Sequence, residues 1–215
     1  MQINARNLIA LASLLLVAFS TDARKVDADL DQATAQRIDA AAAAVLQQTG
    51  VPSASIAVVR DGRIVYAQAY GSAELEPKVL RARPAMRYAI GSISKQFTAS
   101  ALLLLQEDGK LSLNDKVAKY FPQLTRANEI TIRQLLNHRS GLTNFTDDTL
   151  WLGRASRSPS FRPIDTLRFV AAQPLDFPPG SDWRYSNTNY IALGLVIEKI
   201  TGNTYREELE RRILG

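Results

Sequence analysis

The sequence predicts an α+β fold in which one antiparallel hairpin is accompanied by a series of helices. Residues 54–71 contain two runs rich in β-branched and aromatic residues on either side of Asp61-Gly62, a strong short-range hairpin signal. In most of the remaining chain the apolar residues recur at helical spacing, and nothing after Gly71 is typical of a long strand.

The first predicted element is a helix over residues 31–49, which Gly50 would end. Its apolar stripe consists of Ile38, Ala42, Val45 and Leu46. A two-stranded hairpin alone is marginally stable, so the hairpin needs further strands or a covering helix. The helix over residues 31–49 and the apolar helix that begins near Ser92 are the obvious covers.

A second helix is predicted from near Ser92, within YAIGSISKQFTASALLLLQEDG. Its apolar residues extend around almost every face, which is typical of a helix buried on all sides. Lys95 must then either extend its ammonium group to the solvent or lie beside a group that uses it.

The rest of the chain predicts short helices, loops and two further helices. Short helices and loops are expected in LSLNDKVAKYFP and ITIRQLLNHRSGL, and a basic loop around GRASRSPSFRP. A helix over residues 164–172 precedes the turn FPPGSDW. A strongly apolar helix, NYIALGLVIEKITG, ends at Gly202, and TYREELERRIL is amphipathic.

The N-terminus predicts export. Arg6 is followed by an apolar run from Leu8 to Phe19, which is too short to span a bilayer of about 30 Å as a helix and suits a secretory signal. We interpret residues 1–23 as a signal peptide cut after Ser20 or Ala23, with an uncleaved anchor as the alternative. A periplasmic or extracellular location follows, and no stable membrane insertion is expected after cleavage.

Residues 24–215 are enough for one good core or two small lobes. The net charge of +5 comes from scattered residues without a block of like charges, so we expect no nucleic-acid partner. The sequence contains no cysteine, which excludes disulfides and thiolate metal sites.

His138 is the only histidine. This excludes a multi-histidine metal site, and no Gly-x-Ser-x-Gly motif is present to form a triad with it. We therefore interpret His138 as a structural or loop-anchoring residue. No phosphate-binding glycine motif is present either, so we expect neither a metal nor a cofactor.

Ser92 and Lys95 are the first candidates for chemistry. They are three positions apart, so on a helix they share one face. A desolvated lysine near a helix N-terminus can take the proton of a serine, and the helix N–H groups favour a developing oxyanion. Ser-x-x-Lys alone is a weak motif, because it occurs by chance about once in a chain of this size.

Tyr185 and Asn187 are the second pair of candidates, in YSN. A tyrosine beside a lysine can relay a proton, and an asparagine amide can hold both the lysine and a substrate amide. Alternatively, Asn187 caps the next helix and Tyr185 packs in the core. The spacing fits both interpretations.

Four linked segments follow one another in the chain: YAIGSISKQFTASALLLLQEDGKLSLNDKVAKYFP, ITIRQLLNHRSGL, FPPGSDWRYSNTNYIALGLVIEKITG and TYREELERRI. In this order they resemble the serine β-lactamase and D,D-peptidase superfamily, nearest its class C β-lactamase, esterase and D-aminopeptidase branch, and the similarity covers the chain from about residue 31 to its end. SDW at residues 181–183 is not the Ser-Asp-Asn of the class A branch, so the tyrosine version of the second motif is favoured.

The resemblance implies a site and a fold. It implies Ser92 as the acylated nucleophile, Lys95 as its base partner, Tyr185 as the second proton carrier and Asn187 as the residue that holds substrate and lysine. It also implies a β-lactamase/transpeptidase-like fold, with a helical lobe beside an antiparallel sheet covered by helices. The family's Lys/His-Ser/Thr-Gly strand is missing after YSN, so we expect a C-terminally truncated chain with an incomplete sheet.

The expected function is that of a serine hydrolase working through a covalent acyl-enzyme on a small-molecule or peptidoglycan-derived substrate. The acyl donor could be a β-lactam, a D-alanyl peptide, an ester or a D-amino acid amide. Two alternatives remain open: a non-catalytic binding or regulatory module that keeps the fold, and a membrane-tethered structural protein.

Overall fold

A computed structural model describes residues 30–77, 79–158 and 160–215. The predicted signal peptide, residues 1–23, lies outside the described residues. Within the described part of the chain, no helix is long and apolar enough to cross a membrane. The chain divides after Tyr88 into two compact units, and the second is Ala89–Gly215.

The first unit confirms the predicted helix and hairpin. Its elements are α1 (Gln32–Thr49), β1 (Ser53–Arg60), β2 (Arg63–Glu74) and β3 (Leu80–Arg81). The strands form an antiparallel sheet in the order β1-β2-β3. The two-residue strand β3 was not predicted from the sequence, because so short a strand carries no periodic pattern.

Local chemistry determines the ends of these elements. The Asp31 carboxylate accepts a hydrogen bond from the Thr34 N–H at 2.8 Å and so caps the start of α1. Gly50 ends the helix with a left-handed φ of 70°. In the hairpin turn Asp61 and Gly62 both have positive φ, 49° and 74°, which suits the twist of a two-residue turn.

Helix α1 packs on the hairpin, as predicted. The Tyr66 and Tyr70 hydroxyls on β2 both donate hydrogen bonds to the Asp39 carboxylate, at 2.5 and 2.7 Å. These bonds connect the helix to the strand, and Ala42 of α1 and Tyr66 of β2 are both buried.

The second unit is helical. Its α-helices are α2 (Ser94–Glu107), α3 (Ile132–Leu136), α4 (Thr149–Arg157), α5 (Pro163–Ala171), α6 (Asn187–Thr201) and α7 (Tyr205–Leu209). Short 3₁₀ turns occur at Gly91–Ile93, Val117–Lys119 and Phe145–Asp147, and a π-helical turn at Glu210–Leu214. The two units together confirm the α+β fold class.

The core of the second unit lies among α2, α3, α5 and α6. Its fully buried side chains include Leu102, Leu105, Phe121, Ile130, Leu135, Leu167, Leu193 and Ile197. Helix α6 crosses this core and packs on α2, α3, α5 and α7. Because α6 begins at Asn187, the same packing fixes the position of the YSN segment.

Two predictions for this unit were wrong. Helix α2 is not buried on all sides, because Leu103 is 45% exposed while Ala101 and Leu102 are buried. Apolar composition indicates what a helix could bury, but the neighbouring elements decide which faces are covered. The predicted basic loop is helical up to Arg157, since Asp148 caps α4 by accepting a hydrogen bond from the Trp151 N–H at 2.8 Å.

Candidate active site

Ser92 lies in the 3₁₀ turn Gly91–Ile93 that leads into α2, and Lys95 is the second residue of that helix. The Lys95 ammonium donates a hydrogen bond to Ser92 Oγ at 3.1 Å. The i, i+3 spacing brings the two side chains together as the sequence predicted. Ser94 has a different partner, because its hydroxyl donates to the Gly91 carbonyl oxygen at 2.7 Å.

The YSN segment brings two more polar groups to Ser92 and Lys95. Tyr185 Oη lies 2.7 Å from Ser92 Oγ, and Asn187 Oδ1 accepts a hydrogen bond from Lys95 Nζ at 2.9 Å. The structure therefore brings all four residues singled out from the sequence into one hydrogen-bonded chain. Tyr185 is 36% exposed, and the buried Ser186 occupies the N-cap position of α6.

The surroundings of Tyr185 change the pKa of its phenol. Lys95 Nζ lies 4.9 Å from the centre of the Tyr185 ring. Burial raises the pKa of the Tyr185 phenol, but its interactions with the Lys95 ammonium and the Ser92 hydroxyl lower the pKa by more, so the net pKa lies below the usual value. A phenol with a lowered pKa can accept and return a proton closer to neutral pH.

Asn144 supports Asn187 from behind. The buried Asn144 Oδ1 accepts hydrogen bonds from the backbone N–H and the side-chain amide of Asn187, at 2.9 and 3.3 Å. The Asn144 amide in turn donates to Thr146 Oγ1 and to Asp147 Oδ1, both at 2.7 Å. Because Nδ2 of Asn187 faces Asn144, its Oδ1 is directed at Lys95.

The sequence prediction missed Asn144. The only signal for it is a single asparagine in GLTNF, shortly after the His138 segment, and an isolated asparagine in a loop is ordinary. Its contacts with Asn187 bridge 43 positions, so no local pattern could indicate them.

His138 packs against the same segment. Its ring centre lies 4.6 Å from that of Tyr185 and 5.4 Å from that of Tyr190, and its Nδ1 accepts a hydrogen bond from the Ser186 N–H at 3.2 Å. Burial, first, and the positive charge of Lys95, second, hold the pKa of His138 below its usual value.

A cavity of about 530 Å³ opens beside Ser92 and Lys95, within the size range of small-molecule sites. Ser92, Lys95 and Asn187 contribute polar groups to its lining. Its apolar lining comes from several segments and includes Phe145, Pro163, Tyr190, Ile191, Leu195 and Tyr205. The cavity can therefore hold an apolar side chain next to the serine hydroxyl.

Metal ligands are not grouped in the described ranges, where no three histidine, aspartate or glutamate side chains lie together as a metal site would need. The groups that surround Ser92 are the amine of Lys95, the phenol of Tyr185 and, beyond the amine, the amide of Asn187. These groups suit proton transfer and nucleophilic attack.

The family of the chain follows from comparison with known proteins. A sequence model described as "Beta-lactamase" matches residues 33–215. The chain belongs to the β-lactamase family. This assignment confirms the resemblance noted in the sequence and the β-lactamase-like fold. Protein flp of Staphylococcus aureus (strain MW2) is 35% identical over 178 residues, which are 80% of this chain and 34% of that protein.

Solved structures of the family agree with this assignment. A D-stereospecific amidohydrolase from Streptomyces sp. shares 36% sequence identity with this chain. The structural match has a TM-score of 0.69 and covers 86% of this chain and 54% of that one. D-amino acid amidase from Ochrobactrum anthropi SV3, complexed with L-phenylalanine, is 28% identical with a TM-score of 0.67, covering 82% and 49% of the two chains. This β-lactamase-family chain thus spans about a third of the length of the curated relative and about half of each of these structures.

Proposed function

We propose that this protein is a serine hydrolase that forms a covalent acyl-enzyme on Ser92 and acts on amides whose acyl group is a D-amino acid. The observation that carries the proposal is the hydrogen-bonded chain that joins Asn187, Lys95, Ser92 and Tyr185. It supports acyl transfer because a serine hydroxyl becomes a useful nucleophile only when a neighbouring group takes its proton.

In the acylation step, Ser92 Oγ attacks the carbonyl carbon of the substrate and its proton passes to the pair formed by Lys95 and Tyr185. The carbon–nitrogen bond then breaks, and Tyr185 delivers the proton to the leaving nitrogen. The N–H groups at the start of α2 favour the negative charge on the carbonyl oxygen. Asn187 holds Lys95 in place through its Oδ1.

Deacylation repeats these steps with water. Water attacks the acyl carbon while Tyr185 and Lys95 take one of its protons. The bond between that carbon and Ser92 Oγ breaks, and the proton returns to Ser92. The product is the free acid, and all four side chains return to their starting states without any cofactor.

Two features support D-amino acid amides as substrates. The relatives from Streptomyces and Ochrobactrum anthropi are named for D-stereospecific amide hydrolysis and for D-amino acid amides. The apolar lining of the cavity beside Ser92 suits an apolar side chain on the acyl group. A β-lactam is the second candidate acyl donor, because a β-lactam ring is a cyclic amide and the chain belongs to the family named after β-lactamases.

The test is a substrate panel with Ser92→Ala as the control. We would compare D-phenylalanine p-nitroanilide with its L enantiomer, a chromogenic cephalosporin and p-nitrophenyl acetate. We expect at least about tenfold preference for the D-anilide over the L-anilide, and loss of all turnover in the variant. Hydrolysis that survives Ser92→Ala would overturn the proposal, and binding of these compounds without turnover would favour a non-catalytic module.

We also propose that the protein is exported to the periplasm or the extracellular space. The apolar run from Leu8 to Phe19 supports a cleaved signal peptide. The intact mass of protein recovered from a secreting host should correspond to a chain that starts near Thr21 or Arg24. A mass that starts at Met1 would favour the membrane-tethered alternative.

A further inference from the structure

We infer that His138 is a positioning residue that holds the Tyr185 hydroxyl at Ser92. The inference rests on the proposed function, because it gives a role to a residue that the reaction itself does not use. It starts from three contacts between residue 138 and the segment 184–186, in which Tyr185 is the central residue.

The first contact is between rings. The His138 ring lies between those of Tyr185 and Tyr190, tilted by 32° and 37° to them, with the Trp183 ring edge-on at 6.2 Å. Tyr185 is partly exposed, and the imidazole 4.6 Å from its ring restrains the direction of that ring. A rotation of that ring would move Oη away from Ser92.

The second contact is between backbones. The Arg184 N–H donates a hydrogen bond to the His138 carbonyl oxygen at 3.0 Å. His138 has a φ of 61°, a left-handed conformation that costs a residue of this type free energy and that the surrounding structure must maintain. This conformation directs both the carbonyl oxygen and the ring of one residue toward the same segment.

The third contact involves His138 Nδ1, which accepts the Ser186 N–H at 3.2 Å and lies 3.4 Å from Asn189 Nδ2. The orientation of the Asn189 amide is fixed, because its Oδ1 accepts a hydrogen bond from Ser140 Oγ at 2.7 Å. Two donors therefore point at one nitrogen. That nitrogen must be unprotonated, so the ring is neutral with its proton on Nε2.

This arrangement makes the position of Tyr185 depend on the protonation state of His138. The titratable groups that face the ring are Lys95, Tyr185 and Tyr190, while the flanking Arg184 is paired with Asp147 and Asp176. A proton on Nδ1 would make that nitrogen a donor facing the Ser186 N–H donor, so the hydrogen bond would be lost. It would also add positive charge near Lys95. Since the pKa of His138 lies below its usual value, the neutral form predominates at pH 7 and is lost only in acid.

The test uses two variants that both tolerate a positive φ, so backbone strain does not confuse the comparison. His138→Gly removes the ring and the acceptor, while His138→Asn keeps an acceptor oxygen near the position of Nδ1. Turnover of the best substrate would be measured as separate kcat and KM values between about pH 5 and 9. Thermal unfolding would be followed for each protein.

We expect His138→Gly to lower kcat by about 10- to 100-fold with KM changed by less than about threefold, because a displaced proton carrier slows chemistry rather than binding. His138→Asn keeps the acceptor but not the ring, so it should recover part of kcat and lose the acid limb that His138 contributes to the pH profile. A glycine variant with the wild-type kcat and pH profile would overturn the inference. Equal losses of kcat in the two variants, in proportion to their lowered melting temperatures, would also overturn it.

A second measurement is independent of turnover. Because His138 is the only histidine, a long-range ¹H–¹⁵N spectrum of untagged protein shows a single imidazole, which should be the neutral Nε2–H form at pH 7. The ¹³Cζ resonance of Tyr185, assigned with Tyr185→Phe, should shift in His138→Gly. An inactive wild type would defeat the proposed function, but an Nδ1–H ring or an unshifted Tyr185 resonance would defeat the positioning role.

Discussion

The hydroxyl groups of Ser92 and Tyr185 lie 2.7 Å apart although 93 positions separate the two residues in the chain. The turn at Gly91–Ile93 presents the first hydroxyl, and the segment before α6 presents the second. With Lys95 Nζ 3.1 Å from Ser92 Oγ, the serine has two neighbours able to exchange a proton with it. No comparable pair surrounds the nearby hydroxyl of Ser94 in the described structure, since that hydroxyl donates to the Gly91 carbonyl.

We predict from this geometry that Ser92, and not Ser94, is acylated. A fluorophosphonate probe or a fluorescent penicillin should label the protein, and peptide mass mapping should place the adduct on Ser92. Ser94→Ala serves as the matched control and should keep at least half of the labelling rate. An adduct on Ser94, or labelling that survives Ser92→Ala, would contradict the assignment.

Lys95 and Tyr185 should affect proton transfer more than folding. Lys95→Met keeps the stem volume and Tyr185→Phe removes one oxygen atom, so each should lower the rate of acylation or deacylation by about 100-fold or more. Stability should change by only about 1 kcal/mol. Single-turnover kinetics and chemical denaturation check the two effects separately, and a normal rate with lowered stability would leave both residues a structural role.

Parts of the fold governed by local chemistry were predictable from the sequence. The turn at Asp61-Gly62 and the end of α1 at Gly50 need positive φ angles, which few residue types adopt readily. Because those residue types stand at these positions, the sequence alone indicates the turn and the helix end. Helix α4 has a local cap at Asp148, but its aromatic packing partner lies on the next helix, α5. Its Trp151 ring stacks on Phe169 with ring centres 4.4 Å apart.

The candidate site, too, was predictable from the sequence only in part. The pairing of Ser92 with Lys95 follows from helical spacing, so the sequence alone predicts it. The spacing left two interpretations of Tyr185 and Asn187 open, and the resemblance to a family favoured one of them. The role of Asn144 could not be predicted, because it depends on hydrogen bonds with Asn187 that form only when α6 packs in the folded unit.

Asn144→Ala should weaken both stability and activity. It leaves the half-buried Asn187 N–H without its acceptor, which should cost about 1 kcal/mol of unfolding free energy. The freed Asn187 amide can turn away from Lys95, so we expect kcat to fall by about tenfold. Asn137→Ala is the control, because Asn137 is exposed at the end of α3 and its loss should change stability by less than about 0.5 kcal/mol. Equal effects of the two substitutions would argue against the support role of Asn144.

Gly194 on α6 lines the cavity and gives a test of its use. A Cβ at this position would lie 3.6 Å from Tyr205 Cδ2, an ordinary contact, so Gly194→Ala should stabilise the protein by about 0.5–1 kcal/mol through helix propensity. Gly194→Phe fills the cavity and should raise KM for a D-phenylalanine amide by about tenfold, with a smaller effect on a D-alanine amide. Equal KM changes for the two amides would place the substrate side chain elsewhere.

The last prediction concerns Glu208, whose side chain is fully buried between two arginines and Asn203. Burial raises the pKa of Glu208, but the hydrogen bonds from Arg211, Asn203 and Arg212 outweigh it and lower the pKa from 4.5 to about 2. A carboxylate with a lowered folded-state pKa stabilises the protein above its unfolded pKa, and this contribution is lost as the pH falls toward the folded value.

At pH 7 the ionised Glu208 should therefore contribute about 3 kcal/mol, which should decline as the pH falls from about 4.5 to about 2. Glu208→Gln removes the negative charge that pairs with the two arginines. The variant should therefore be less stable than wild type by at least about 3 kcal/mol at pH 7, and by clearly less at pH 3. Urea denaturation of both proteins at the two pH values measures the difference, in which the titration of other groups cancels. A stability gap that stays constant with pH would show that Glu208 acts through packing and hydrogen bonds rather than through its charge.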